Sequence, residues 1–478
     1  MQEKLNQLRA NFTKSTSSSR FHIDKPLNST FSFKPVKIHS GVTLAALAAT
    51  QFVNPAVWAF WDKVEIYEDK NPNLVQEQFL QGSKYTLFPA VSMSFGSDSP
   101  SSSLFMLHFA RNWKKNLKSE KNPVLLIPGA GDHAHRAFAD PSYGIPGLNR
   151  DTGLAQYLDD AGYPLFAITF AHSQGDNFIQ CHQLSNAIDV IKKATGFDKI
   201  DIVAHSKGNI PARMYVSNIS SVYKLESEFF GVKKFEFNNG EEEKKVNVSF
   251  PSKKWLAPFG YDVRRYVQLA APNKGVDATF RAFSASATAY ISKQAPIPFI
   301  RYIGQKSITF ESIKESIYYE ENNPRENNYF PGQCQMLKDL SEDIPLSLTP
   351  ALSYSFTSNA QQKMYYGGRS AIGDSMGIEY AIAQGGYLID RLRQKGTSNR
   401  VEVATIAGTK KLVNVTYAGL PVPISYEGVD SDGLLFYKSA SDTEGINNSM
   451  GVYDFNVNHL EITYSDEVSK FIDEILSY

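Results

Sequence analysis

From Lys121 onward the chain alternates short apolar runs with longer stretches of helical spacing. Val124–Ile127, Leu165–Phe170 and residues 200–203 are near-continuous runs of aliphatic and aromatic residues, the pattern of strands buried on both faces of a parallel sheet. Pro128 and Gly129 break the first run. Residues 152–164 read as a helix closed by Gly162, and residues 176–194 set Phe178, Ile179, Ala187, Ile188, Val190 and Ile191 near helical spacing. Strand, helix, strand, helix, strand predicts an α/β fold with a mostly parallel central sheet and helices on both faces. The sheet resumes at residues 264–275, gains strands at 401–408 and 453–457, and a terminal helix follows at 467–476. Residues 103–113, SLFMLHFARNW, have the composition of a strand with no clear place in this order.

Composition adds boundaries to this picture. The 478 residues suffice for one large α/β domain with insertions. Residues 1–120 read as a variable lead-in, polar and serine-rich at Ser15 to Ser19, and residues 121–478 as the main domain. Within it, residues 223–254, with the run EEEKK, read as a charged solvated insertion, and residues 276–397 as a long insertion forming a cap. Forty-nine basic residues cancel 49 acidic ones, which gives no sign of a nucleic-acid partner. The two cysteines, Cys181 and Cys334, permit one disulfide at most. The first 20 residues lack the apolar core of an ordinary signal peptide. The run at residues 41–61 is interrupted by Gln51, Asn54 and Pro55, a poor membrane span that reads better as a packed helix. The compartment is cytoplasmic if Met1 is the true start and secreted otherwise.

The stretch Lys199 to Gly208, KIDIVAHSKG, carries the chemistry. A buried strand turns through Ser206 into a helix-compatible segment, with Ala204 and Gly208 as the small flanking residues. This is the pattern of a nucleophile elbow, whose strained serine leaves no room for large neighbours. A serine hydroxyl needs an imidazole to take its proton, and the imidazole needs a carboxylate to fix its tautomer. Of nine histidines only His459 follows Ser206, and it lies between a predicted strand and a helix. The acid falls in GVDSDGLLFYKSA, which offers Asp430 and Asp432; Asp432 is preferred because Gly433 lets the chain curl. Two backbone amides must hold the oxyanion. Lys207, after the nucleophile, supplies one, and Ala130 in the loop PGAGD supplies the other. That loop is no phosphate cradle, since no Lys-Ser/Thr pair follows it. His133 and His135 form an H-x-H pair, read as structural or substrate-lining rather than metal-binding.

With these residues in view, the chain resembles the α/β-hydrolase superfamily and, within it, bacterial triacylglycerol lipases. The A-H-S-x-G elbow is a variant found among such lipases. PGAGD is similar to the oxyanion loop of a fungal lipase family, AAPNKG to the segment after the post-elbow strand, and SDG and NHL to the acid and histidine segments. The resemblance covers residues 121–478. It implies a carboxylic ester hydrolase acting on acyl lipids, with Ser206, Asp432 and His459 catalytic and Ala130 and Lys207 in the oxyanion hole. It also implies a mobile lid, for which residues 280–303 are the candidate, contact with a lipid surface, and no cofactor beyond the structural calcium some relatives bind. The same triad would serve an acyltransferase or thioesterase, and the scaffold alone would serve an inactive lipid-binding protein.

Overall fold

A computed structural model describes residues 60–68, 95, 104–142, 152–218, 232–237, 240–245, 260–281, 300–302, 331–346, 362–363, 365–370, 373–375, 377–417, 420–425 and 428–478. Eight strands form the main sheet: β1 (Trp61–Glu68), β2 (Leu104–Ala110), β3 (Val124–Ile127), β4 (Leu165–Phe170), β5 (Ile200–His205), β6 (Val263–Leu269), β7 (Glu402–Gly408) and β8 (Ser449–Phe455). Their order is β1-β2-β4-β3-β5-β6-β7-β8. Only β2 runs against its neighbours; every pair from β4 to β8 is parallel.

The apolar runs become strands because both sheet faces are covered. All four residues of β3 and all six of β4 and of β5 are buried. In β3, Leu125 and Ile127 enter one large core cluster, while Val124 and Leu126, equally buried, alternate to the other face. That cluster also holds residues of three helices: α2 (Asn177–Thr195), α3 (Asn209–Val216) and α4 (Leu388–Lys395). Outside it, α1 (Leu154–Asp160) packs with α5 (Asp466–Ser477). Helix α2 starts where the Asp176 side chain accepts from the Phe178 amide at 2.6 Å and stops at Gly196, whose φ of +78° suits a residue without Cβ.

Two strands of the main sheet come from residues 1–120, read from the sequence as a variable lead-in. SLFMLHFARNW contains β2, and β1 lies against it as the edge strand. The last strand begins at Ser449, ahead of the predicted start at 453, because Ser449, Gly451 and the neighbouring polar residues break the apolar signal. In the charged insertion, Val232–Phe237 and Gly240–Lys245 pair as an antiparallel hairpin. The lead-in to residue 59, and most of the candidate lid at 280–303, lie outside the described residues. Among the described residues no helix is long and apolar enough to cross a membrane.

This order has a reversal in the middle of the sheet. β3 lies between β4 and β5, so the loops leaving the carboxyl ends of β3 and β5 diverge around a crevice, the usual ligand position in open α/β sheets. Ile127 pairs with Ala204 and His205 with Leu269, which sets the PGAGD loop directly beside Ser206.

Candidate active site

Ser206 stands at the end of β5 with φ +50°, a left-handed conformation rare for a residue with a side chain. Such a residue costs of order 1–3 kcal/mol and persists only where its surroundings enforce it. Several contacts do so here. The Asn209 side chain donates to the Ser206 carbonyl at 3.0 Å and to the Leu269 carbonyl at 3.1 Å, and it accepts from the Tyr266 hydroxyl at 2.8 Å. The flanking small residues are explained by distance. A Cβ on Gly208 would lie 2.4 Å from the Pro128 carbonyl oxygen, and one on Gly129 would lie 2.9 Å from the Ser206 Cβ. The elbow and the PGAGD loop thus touch at backbone range.

His459 occupies the loop between β8 and α5. Its Nε2 is 2.8 Å from the Ser206 Oγ, and its Nδ1 is 2.7 Å from an Asp432 carboxylate oxygen. A carboxylate only accepts, so Nδ1 carries the hydrogen and Nε2 is left as acceptor toward the serine hydroxyl. The other Asp432 oxygen accepts from the amides of Leu434 at 3.0 Å and Leu435 at 2.7 Å. This turn is possible because Gly433 adopts φ +95°. The carboxylate is buried, with its Cβ against Gly408 at the end of β7. Asp430, the other acid offered by the sequence, points outward and pairs with Lys411 at 3.1 Å. The structure therefore brings Ser206, His459 and Asp432 together and leaves Asp430 on the surface.

Ala130 and Lys207 lie in the two segments that meet beside the serine hydroxyl. The Lys207 side chain turns inward, donating to the Oε1 of the Gln180 side chain on α2 at 2.5 Å, beneath Gly332 of the inserted segment. Sequence reasoning missed what braces the Ala130 loop. Arg136 forms a two-pronged ion pair with Asp132, with Nε at 2.6 Å from Oδ1 and Nη2 bonded to Oδ2, and both residues are buried. A lone D-x-x-x-R spacing carries no such signal in a sequence.

His133 and His135 are packed inside. The rings stack with centroids 6.4 Å apart, and the Trp61 indole N–H donates to the His135 Nδ1 at 3.2 Å. Among the described residues no group of three His, Cys, Asp or Glu could hold a metal. Cys181 and Cys334 are both buried and free.

Burial alters the titration of several histidines. It pushes His108, His172 and His205 down to about 3, and His133 and His135 well below the usual range; Arg136 adds to the effect at His133 and Lys207 at His172. All five are neutral in the folded protein at pH values where the unfolded chain, with ordinary histidines near 6.5, takes up protons. The unfolded state then binds more protons, so stability falls as pH drops below about 6.5, with a slope of up to about 1.4 kcal/mol per pH unit for each such group. Thermal melting followed from pH 7.5 to 4.5 is expected to show a steadily falling midpoint. A flat profile would contradict the buried neutral state of these rings.

The strand order and the site define the class: the chain has the α/β-hydrolase fold. Residues 121–228 match the family described as lipase (class 2), a span that contains Ala130, Ser206 and Lys207 but neither Asp432 nor His459. Similar solved structures include the mature lipase BlEst2 of Bacillus licheniformis, with 12% identity, coverage of 74% of this chain and 92% of that one, and a TM-score of 0.33. A soluble variant of the monoglyceride lipase of Saccharomyces cerevisiae, bound to a substrate analogue, has 12% identity, coverage of 78% and 91%, and a TM-score of 0.36. A 2-hydroxy-6-oxo-6-phenylhexa-2,4-dienoate hydrolase of Rhodococcus sp. strain RHA1 has 11% identity, coverage of 78% and 95%, and a TM-score of 0.35. The lipase (class 2) similarity is confined to residues 121–228.

Proposed function

We propose that this chain hydrolyses carboxylic esters of acyl lipids through a Ser206–His459–Asp432 triad and an acyl-enzyme intermediate. Ser206 Oγ attacks the ester carbonyl while His459 Nε2 takes its proton. Asp432 holds the Nδ1–H tautomer and stabilises the imidazolium that forms. The amides of Ala130 and Lys207 receive the negative charge that develops on the carbonyl oxygen. His459 then returns the proton to the leaving alcohol, and water activated by the same imidazole attacks the acyl-enzyme.

The observation that carries this reading is the continuous line of contacts from Asp432 through His459 to the Ser206 Oγ, at 2.7 and 2.8 Å. Both are within the reach required of a base and its orienting group. An acyl lipid is preferred as substrate because of the lipase match over residues 121–228 and the apolar and aromatic sequence at 280–303, whose charges are Arg281, Lys293 and Arg301. The test is hydrolysis of p-nitrophenyl esters from acetate to palmitate. Longer acyl chains are expected to give the higher kcat/KM. A rate confined to acetate would leave an esterase, and a product formed only with added alcohol would identify a transferase.

A further inference from the structure

We propose that His205, the residue before the nucleophile, is a positioning residue that ties the loop of the base to the nucleophile strand. This rests on the reading of Ser206, His459 and Asp432 as a triad. In the elbow pattern position 205 is a spacer between a small residue and the serine, and no role follows from the motif itself. The structure gives its side chain a specific partner.

The His205 ring is buried, and its Nε2 lies 2.8 Å from the backbone carbonyl oxygen of His459. A carbonyl has no hydrogen to give, so Nε2–H donates and Nδ1 is the bare nitrogen. Nδ1 faces Gly129 of the oxyanion loop, where a Cβ would come within 3.2 Å of it. The two imidazole rings sit 4.9 Å apart, tilted by 49°. Burial keeps His205 neutral, at about 3, with His459, Asp132 and Arg136 as the titratable groups around it, so the donor at Nε2 persists over the range in which an esterase works.

The consequence lies in how His459 is held. Its peptide N–H donates to the Asp432 carbonyl at 2.9 Å, and its ring nitrogens meet Asp432 and Ser206. Its peptide carbonyl is held by His205. The other bonds in this loop are internal or run to the segment after β7: the Asn458 side chain accepts from the amides of Leu460 at 3.0 Å and Glu461 at 2.9 Å, the Val457 carbonyl accepts from the Lys410 amide at 3.1 Å, and Glu461 pairs with Lys410 at 2.5 Å. Those shape the loop without fixing its distance from β5. The bond from His205 fixes it, because His205 and Ser206 are consecutive on the same backbone. Base and nucleophile are thereby referenced to one strand. Without the donor, a buried carbonyl loses its partner and the loop is free to shift, and a displacement of about 1 Å at a reacting pair can cost about 10²-fold in rate.

The test compares His205→Leu, which removes the donor, with His205→Gln, which retains an N–H that can reach the same carbonyl. For His205→Leu, kcat on a p-nitrophenyl ester is expected to fall roughly 10- to 100-fold with KM changed by less than about twofold. The Gln variant is expected to recover most of kcat at an equal melting midpoint. A second readout does not depend on turnover: the downfield proton resonance of the His459–Asp432 hydrogen bond should be lost to solvent exchange in the Leu variant and kept in the Gln variant. Wild-type kcat and an intact resonance in His205→Leu would overturn the proposal, as would equal losses in both variants that follow their melting midpoints. If instead Ser206→Ala proves as active as wild type, the triad reading falls, and the resonance alone still decides whether His205 orders the His459 loop.

Discussion

Replacing Ser206 by alanine is expected to lower kcat for ester hydrolysis by roughly 10⁴- to 10⁶-fold while leaving the melting midpoint close to that of wild type. The size follows from what the hydroxyl does in the proposed mechanism. It forms the covalent bond that divides one difficult step into two, and no neighbouring group can take its place. A serine moved one residue along would not stand in, since position 206 owes its exposure to the turn at φ +50°. Stability is expected to survive because the Oγ is bonded to His459 alone among the described residues, whereas the strain is held by the bonds that the Asn209 side chain donates to the Ser206 and Leu269 carbonyls. What remains in Ser206→Ala is the oxyanion site and ground-state binding, and these sustain a residual rate above that of water.

The second large effect is expected at Asp432. Asp432→Asn keeps the size of the side chain but lets the amide donate where the carboxylate accepted. The imidazole then turns to its other tautomer, with the hydrogen on Nε2, and no longer accepts from the Ser206 hydroxyl. A fall of about 10⁴-fold in kcat is expected, with KM little changed. Asp430→Asn, two residues away, serves as the control. Its carboxylate is exposed and pairs with Lys411 at 3.1 Å, and an exposed pair of this kind contributes at most about 1 kcal/mol to stability and nothing to the reaction. Steady-state kinetics on both variants separate the two acids directly. A large loss in Asp430→Asn with an active Asp432→Asn would reverse the assignment.

The comparison of these two aspartates also shows how far the sequence could be read. The G-V-D-S-D-G turn narrowed the acid to two residues, and Gly433 favoured Asp432 between them. What separates them is the left-handed Gly433, the amides of Leu434 and Leu435 that gather on one carboxylate oxygen, and the end of β7 at Gly408. The elbow was legible because its signal is local: an apolar strand, two small residues and a serine lie within one short stretch. His459 was legible by elimination. β1 was not, because an edge strand reading WDKVEIYE mixes charges with its apolar residues and offers neither a continuous run nor a clean alternation. The length of α2 was legible to within one residue at each end, read as 176–194 and found as Asn177–Thr195, although Gln180, His182, Gln183, Ser185 and Asn186 are all buried along it and polar residues on a covered face weaken the helical stripe. The braces around the site lay beyond the sequence for a different reason. Asp132 with Arg136, Asn209 with Tyr266, and His205 with the His459 carbonyl are ordinary residues until the fold brings them into contact.

The free cysteines bear on handling the protein. Burial pushes the Cys181 thiol well above its usual range and Cys334 to about 12, so neither is a ready nucleophile. Ester cleavage by this chain is therefore not expected to depend on a thiol, and a serine-directed reagent is the appropriate probe.

A fluorophosphonate ester supplies that probe. Incubated with the folded protein, it is expected to leave one adduct per chain, mapped by mass spectrometry to the peptide carrying Ser206, with activity lost in step with labelling and no adduct on Ser206→Ala. A folded protein that cleaves ester while remaining unlabelled at Ser206 would contradict the account at its centre.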